Sequence, residues 1–209
     1  MTSAGEFVQS LAELVAIVGE PNERAANKAR SCLHGVDRQW LAASPFCLLA
    51  TSDGHGRCDV SPKGDPSGFV HVIDDRTIAV PERPGNRRAD GLRNVLQNPH
   101  VGLIFFIPGR EDTLRINGSA RIAANAPYFD SMAVAGRRPK LALVVSIEEV
   151  FYHCAKALMR AQLWAWQSWA PRKMLSRPEI VQAVEDAGAT LEELQRYYGP
   201  DYAKGLYRE

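Results

Sequence analysis

The chain has 209 residues, of which 45% are apolar and 8% aromatic, and these proportions are typical of an ordinary globular protein with one substantial core. Its 25 Lys and Arg residues nearly balance its 24 Asp and Glu residues, so the net charge of +1 gives no general attraction to nucleic acid or to an anionic membrane. No run is long and apolar enough for a membrane span, and the acidic N-terminus does not resemble a secretion signal. We therefore expect a cytoplasmic protein in which any cluster of cations has a local purpose.

The cysteines and histidines do not form a metal-binding pattern. The four cysteines are widely separated with no CxxC pair, and the five histidines lack ligand spacing. We predict no metal site and no disulfide framework. Since three of the cysteines lie in apolar surroundings, we expect mostly buried free thiols. The cysteines are Cys32, Cys47, Cys58 and Cys154.

Residues 1–43 are predicted to form an N-terminal helical extension. Pro21 is expected in the first turn of a second helix, a position that proline favours. Leu33 and Trp40 are expected to pack inward. The first helix is indicated by apolar residues at helical spacing, which are Phe7, Leu11, Leu14, Val15 and Val18.

Residues 44–153 are predicted to form the central domain. Short runs rich in Val, Ile and Phe are separated here by turn residues, a pattern that indicates antiparallel strands rather than alternating βαβ units. Two helices are expected to interrupt the strands, at 86–97 and near 127–134. The predicted fold is mainly β with flanking helices (α+β), with six or seven antiparallel strands in a barrel or sandwich. The runs are FCLLAT, RCDVSP, GFVHVI, TIAV, VGLIFFI, TLRINGSARI and LALVVSIEEVFYH.

Residues 154–209 are predicted to form a C-terminal helical extension. Ser176 and Thr190 are suited to begin two of its helices, because a hydroxyl oxygen there can accept a hydrogen bond from a free backbone N–H.

Common catalytic motifs are missing from the chain. It has no GxxxxGK[ST], HExxH or GxSxG sequence, and GHGRCD at 54–59 has Asp where a dinucleotide-binding loop needs its third Gly. Ser61 has no evident base partner, so we interpret it as a turn residue rather than a nucleophile. No catalytic residue is identified.

Two cationic segments need an explanation. Lys63 ends an otherwise apolar strand, and Arg87 and Arg88 fall in the first turn of a predicted helix, where the helix dipole disfavours cations. A bound phosphate would account for both. Free N–H groups at the start of a helix suit an anion, Arg can bind phosphate through two hydrogen bonds, and Lys can add a point charge.

A simpler alternative is a solvated helix face. In that interpretation Arg87, Arg88 and Arg93 pair with Glu82 and Asp90. We favour the phosphate, because a lysine at the end of an apolar strand has no comparable reason to be there.

The order of three segments identifies a resemblance. FCLLATSDGHGRCDVSPKGD, TIAVPERPGNRRADGLRNVLQNPHVGLIFFIPG and DTLRINGSARI together resemble the pyridoxamine 5′-phosphate oxidase-like family, in the subgroup with an SPKGD strand end and a PGNxR helix start. The resemblance covers about residues 40–155. It implies an FMN-binding split β-barrel and a homodimer with each flavin at the subunit interface. The large apolar side chains of VGLIFFI also favour an isologous dimer surface.

The resemblance implies a set of cofactor-binding residues. Arg87 and Arg88 would bind the FMN phosphate, and Lys63 would end the strand that contacts FMN. Arg115 and Asn117 would reach the ring region, from the same subunit or from the other one. The remaining implied FMN contacts are Asp59, Val60, Ser61, Val80, Pro81 and Asn86.

The chain departs from the true vitamin B6 oxidases at two places. Cys58 stands where their flavin-binding strand begins with Arg, and their C-terminal Trp-and-Arg signature is replaced by HCAKALMRAQLWAWQSW. Lys156 and Arg160 share a helix face in that segment and are candidate substrate contacts. Trp164 and Trp166 are interpreted as core or dimer contacts. These departures argue against pyridoxamine phosphate as the substrate.

The function predicted from the sequence is that of an FMN-dependent oxidoreductase of unknown substrate, acting as a homodimer without nucleic acid or membrane partners. The alternative is a flavin- or haem-binding split-barrel protein without turnover, since fold does not fix function. A reduced deazaflavin in place of FMN is a third possibility.

Overall fold

The computed structural model of the chain describes residues 7–170, 174–186 and 188–207. The two ends of the chain and a small part of the C-terminal extension thus lie outside the described residues. The strands in this part of the chain are β1 (Phe46–Ser52), β2 (Cys58–Gly64), β3 (His71–Val72), β4 (Thr77–Glu82), β5 (His100–Phe106), β6 (Thr113–Ala123) and β7 (Leu141–His153). They form one antiparallel sheet in the order β2-β1-β5-β6-β7-β4-β3.

This sheet curls until its two ends meet. β2 and β4 lie near opposite ends of the strand order, yet Lys63 Nζ of β2 lies 2.5 Å from Glu82 Oε2 of β4. Just beyond these strands, Arg83 Nε lies 2.5 Å from Asp65 Oδ2. The prediction of a mainly β fold with flanking helices, built as an antiparallel split barrel, is confirmed.

The core lies inside the curled sheet. Successive side chains of a strand point to opposite faces, so each strand sends alternate residues inward. The inward face of β1, β5 and β6 is completely or almost completely buried. Its residues are Cys47, Leu49, Leu103, Phe105, Leu114 and Ile116.

A bulge lets β6 and β7 bend around this core. The pairing register shifts between Asn117 and Gly118. A Cβ atom at Gly118 would lie 2.0 Å from the carbonyl oxygen of Ser146, so only glycine fits here.

The N-terminal extension contains α1 (Leu11–Val18), α2 (Glu23–Ala26) and α3 (Gly35–Ala43). Leu33 and Trp40 are buried, as predicted. The placement of Pro21 in a first helical turn is wrong. Asn22 Oδ1 accepts a hydrogen bond from Ala25 N at 2.9 Å, so the helix begins after this cap and Pro21 precedes it.

A buried ion pair fastens α3 to the segment before it. Asp37 is fully buried, and its carboxylate accepts hydrogen bonds from Arg30 at 2.6 and 3.0 Å and from the backbone N–H of His34 at 2.8 Å. Burial alone would raise the pKa of Asp37, but these hydrogen bonds outweigh it and lower the pKa.

The helix predicted at 86–97 is shorter than expected. It is α4 (Asp90–Val95), and the prediction that Arg87 and Arg88 lie in its first turn is wrong. Arg87 and Ala89 have φ angles of 64° and 55°, so their backbone is left-handed and cannot belong to a right-handed helix.

The remaining helical segments lie near their predicted positions. A 3₁₀ turn at Pro127–Met132 is followed after the sheet by α5 (Lys156–Ala161), α6 (Arg177–Val184) and α7 (Leu191–Tyr197). Ser176 and Thr190 cap α6 and α7, each in a capping box, as predicted. Among the described residues, no helix has the length and apolar character needed to cross a membrane.

The expectation of mostly buried thiols is wrong. All four cysteines are free, but only Cys47 is buried, whereas Cys58 and Cys154 are exposed. Cys58 begins the edge strand β2 and Cys154 follows the end of β7, so neither has a layer of structure above it. Within the described residues, no group of three potential ligands could hold a metal ion.

Candidate functional site

The inward face of β2 is polar. Alternation along this strand leaves Asp59, Ser61 and Lys63 half-buried on one side and exposes Val60 on the other. The Ser61 hydroxyl donates to Asp59 Oδ2 at 2.8 Å. β2 therefore places a carboxylate, a hydroxyl and an ammonium group in a row at the seam of the barrel.

Lys63 has a partner inside the protein. Its ammonium group donates to Glu82 Oε2 at 2.5 Å, and both side chains are largely shielded from solvent. The interpretation that Lys63 lacks any local reason for its charge is therefore wrong. Glu82 lies far away along the sheet order, so the pairing depends on closure of the barrel.

The loop of residues 83–89 connects β4 to α4 and carries the two predicted phosphate contacts. Asn86 Oδ1 accepts from Arg88 N at 3.0 Å, and Arg88 Nε donates to Asp90 Oδ2 at 2.8 Å. The hydrogen bond with Asp90 raises the pKa of Arg88. The Arg87 side chain makes no hydrogen bond or ion pair with the described part of the chain. Thus Arg88 pairs as the solvated-face alternative expected, but Arg87 does not.

A cavity of about 680 Å³ lies between this loop and the start of β7. Glu82 is the only acidic residue among those described around it. Pro84, Leu92 and Tyr207 supply part of an apolar wall. The cavity is strongly cationic because five basic side chains line it, which are Arg83, Arg87, Arg137, Arg138 and Lys140.

Some of these cations are fixed by other residues. Arg83 donates to Asp65 at 2.5 Å and to the carbonyl oxygen of Met132 at 2.6 Å. Arg138 Nε lies 2.7 Å from Asp130 Oδ1. Arg137, like Arg87, has no side-chain partner among the described residues.

The C-terminal segment also reaches the cavity. The Tyr207 hydroxyl donates to Asp65 Oδ1 at 2.7 Å, while Asp65 Oδ2 accepts from Arg83. This hydrogen bond to Asp65 raises the pKa of Tyr207. One carboxylate thus joins the tail of the chain to the cationic loop.

Sequence reasoning missed the contribution of the segment before β7. Arg137, Arg138 and Lys140 form an RRPK run, and this local density of cations is a signal that could have been noticed. Their position close to the 83–89 loop could not be predicted from neighbouring residues, because it depends on the pairing of β4 with β7, which are far apart in the sequence.

Comparison with known proteins places the chain in a family. A family model described as pyridoxamine 5′-phosphate oxidase matches residues 34–154, more than half of the chain. The chain belongs to the pyridoxamine 5′-phosphate oxidase family. The match runs from the residue that caps α3 to the residue after β7, so it covers the whole sheet.

Solved structures similar to this family member have low sequence identity. Group A Streptococcus HupZ is 20% identical with a TM-score of 0.46, over 57% of this chain and 93% of that chain. A candidate pyridoxamine 5′-phosphate oxidase from Lactobacillus delbrueckii is also 20% identical with a TM-score of 0.46, over 59% and 98%. An FMN-binding protein from Syntrophomonas wolfei is 14% identical with a TM-score of 0.43, over 57% and 89%. A search of the curated proteins gave no match.

Two residues that the family resemblance assigned to the flavin ring lie away from the cavity. Gly102 pairs with Asn117 and Ile104 with Arg115, which places both side chains on the outward face of the sheet. The Arg115 guanidinium lies 5.1 Å from the Phe151 ring centre. One subunit therefore does not bring these residues together with Lys63.

Of the predicted contacts, only Asn86 and Arg87 line the cavity; Asp59, Ser61, Lys63 and Arg88 lie outside its lining. Val80 and Pro81 are buried in β4, so their side chains are covered by protein. Lys156 and Arg160 lie on the exposed helix α5, and neither lines the cavity. Trp164 Nε1 donates to the carbonyl oxygen of Arg110 at 2.6 Å, a contact within the subunit, whereas Trp166 is 73% exposed and is not a core residue.

Proposed function

We propose that this member of the pyridoxamine 5′-phosphate oxidase family is an FMN-dependent oxidoreductase that acts as a homodimer. The observation that carries the proposal is the charge of the cavity. Five cations and one carboxylate surround it, although the whole chain has a net charge of only +1. Asp65 and Asp130 pair with Arg83 and Arg138, but the Arg87 and Arg137 side chains have no partner among the described residues, so a bound anion would neutralise them.

The phosphate end of FMN fits the residues at the seam of the barrel. Arg87 is available for two parallel hydrogen bonds to phosphate, since it has no partner among the described residues. Lys63 would exchange Glu82 for the phosphate, and Arg88 would exchange Asp90. A dianionic phosphate competes well with a single carboxylate for both groups.

The polar row on β2 fits the next part of the cofactor. The Ser61 hydroxyl can donate to or accept from a ribityl hydroxyl, and the Asp59 carboxylate can accept from one. The Val60 side chain points to the other face, and Asn86 lines the cavity beside Arg87. Because the Val80 and Pro81 side chains are buried, these two residues can contribute only backbone atoms.

The outward face of the sheet supports the homodimer. We call this the outer face, meaning the side chains of β2, β1, β5, β6 and β7 that point away from the core. Val60 is 59% exposed on it, and Phe46 is also exposed. Apolar surface of this kind favours self-association, and a two-fold dimer would bury it against itself. Arg115 and Asn117 lie on the same face, so the dimer would turn them toward the partner subunit.

Bound FMN supplies two-electron transfer, while the chain binds it, orients it and excludes water. The Arg137, Arg138 and Lys140 side chains would face a second anionic group, on a substrate or on a hydride donor. Lys156 and Arg160 are the only substrate contacts expected from the sequence. The cavity offers three further cations, so the substrate proposed here is an anionic small molecule.

Anaerobic reduction tests the proposal. The purified protein, loaded with FMN, is mixed with a nicotinamide hydride donor or with pyridoxamine phosphate, and the visible flavin band is followed. We expect bleaching by one of these reductants and recovery when oxygen is admitted. A flavin that none of them reduces would favour the non-catalytic binding alternative, and a Soret band in the purified protein would favour haem.

A further inference from the structure

The N-terminal helix exposes an apolar surface that nothing in the described chain covers. Residues 7–18 read FVQSLAELVAIV and contain a single charged side chain, Glu13. α1 has no buried residue. Six large apolar side chains are between 44% and 80% exposed, and they are Phe7, Val8, Leu11, Leu14, Ile17 and Val18.

Local chemistry nevertheless specifies this helix. The Ser10 hydroxyl oxygen accepts from Glu13 N at 3.2 Å, and the Glu13 carboxylate accepts from Gln9 N at 2.9 Å. Gly19, with a φ of 79°, ends the helix and donates to the carbonyl oxygen of Val15 at 2.8 Å. An isolated helix of eight residues is unstable in water, so this capped helix needs a packing surface.

The chain leaves the barrel at the edge of the outer face. Arg30 exchanges backbone hydrogen bonds with Val150 of β7, at 3.0 and 2.7 Å. Lys28 Nζ donates to the carbonyl oxygen of Tyr152 and lies 4.9 Å from the Phe151 ring centre. Phe151 also contacts Arg115. The segment that connects α1 to the barrel is therefore attached beside the proposed dimer surface.

The connection is long enough to reach a neighbour. Between α1 and Lys28 the chain contains α2 and five residues outside helices, which together span roughly 20 Å. An arm of this length can extend beyond the edge of its own sheet.

We infer that α1 of each subunit packs on the outer face of a second copy of this chain, as an exchanged arm. The inference rests on the proposed homodimer. The arm is apolar and uncovered, the β2 and β1 part of the outer face exposes Val60 and Phe46, and the arm begins at the β7 edge of the same face. Two-fold symmetry makes the exchange reciprocal.

A membrane surface suits the arm less well. Helices that lie on anionic membranes carry Lys or Arg along a polar face, and residues 7–18 contain neither. A second copy of the chain is therefore the partner favoured by the charges.

The test compares two double variants of the full chain. L11E with V18E places charges on the exposed arm, and L175E with V184E places charges on equally exposed sites in and just before α6. Because all four positions are exposed, neither variant removes a core contact. The dissociation constant of the dimer is measured by sedimentation velocity over a dilution series.

We expect the arm variant to raise the dimer dissociation constant about tenfold or more, which corresponds to about 1.4 kcal/mol, and the control to change it little. A dimer whose affinity is unchanged or stronger in the arm variant overturns the exchange but leaves the proposed dimer intact. A wild-type monomer overturns both. A third outcome is that the two proteins have the same dimer affinity, but only the wild type binds vesicles of anionic lipid. That result would assign the arm to membranes and overturn the exchange.

Discussion

Lys63 at the end of β2 and Glu82 at the end of β4 form an ion pair of 2.5 Å across the seam where the curled sheet meets itself. The pair joins two strands that lie near opposite ends of the strand order. Glu82 therefore competes with any phosphate bound at the seam for the charge of Lys63.

Substitutions of the two residues of this pair should change FMN affinity in opposite directions. Lys63→Ala should weaken FMN binding about 10- to 100-fold, because a hydrogen bond to a charged group contributes about 1.5 to 3 kcal/mol. Glu82→Gln should strengthen binding by a factor of about 2 to 5, because it removes a competing carboxylate of modest ion-pair strength. Quenching of FMN fluorescence measures both. If both variants bind FMN with the affinity of the wild type, Lys63 does not contact the cofactor.

The two arginines of the loop should contribute unequally. Arg87→Ala should weaken FMN binding by about tenfold or more, since Arg87 is free to make charged hydrogen bonds to phosphate. Arg88→Ala should weaken FMN binding less, because Arg88 must exchange its ion pair with Asp90 for the phosphate. The double variant should purify without flavin. Wild-type flavin occupancy in the double variant would show that the phosphate lies elsewhere.

The ion pair of Arg30 and Asp37 should govern the stability of the N-terminal half. Asp37→Asn should lower the free energy of unfolding by about 3 kcal/mol, because it leaves a shielded guanidinium unpaired. Asp112→Asn is the matched control, since Asp112 forms a similar two-pronged pair with Arg110 at a more exposed position, and it should have little effect. Urea unfolding measures both, and equal losses would contradict this account of the buried pair.

The same pair gives the stability a pH dependence. Folding lowers the pKa of Asp37, so the stabilisation is present above its ordinary value of 3.8 and is lost as the pH falls below it. The difference in unfolding free energy between the wild type and Asp37→Asn should therefore shrink between pH 5 and the acid limit of folding. A difference that stays constant over that range would exclude Asp37 as the titrating group.

Thiol labelling should separate the cysteines by burial. Burial raises the pKa of Cys47 to about 12, so this thiol should react with iodoacetamide only on unfolding. Cys58 and Cys154 are exposed and should react in the native protein. Mass spectrometry after partial labelling gives the order of reaction. Early modification of Cys47 would contradict the packing of β1.

The strands and caps could be predicted because their signals are local. Alternating apolar residues define β5 and β6, and the hydroxyls of Ser176 and Thr190 begin α6 and α7 through contacts three residues away. The start of α4 was misplaced because left-handed backbone at Arg87 and Ala89 has no clear signal in residues other than glycine.

The site was only partly predictable because it depends on closure of the barrel. Local charge patterns single out Lys63 and Arg87 as candidate phosphate contacts. The partner of Lys63 and the contribution of Arg137 and Lys140 come from distant strands that meet only in three dimensions. The outward position of Arg115 required the pairing register of β5 and β6.

The central claim is tested most directly by the flavin content of the purified protein. The protein is expressed in full, its visible spectrum is recorded, and the cofactor released on denaturation is identified and counted. We expect the yellow spectrum of an oxidised flavin and release of one FMN per subunit. A colourless protein that takes up no FMN on titration, or one that releases haem or a deazaflavin instead, would contradict the account.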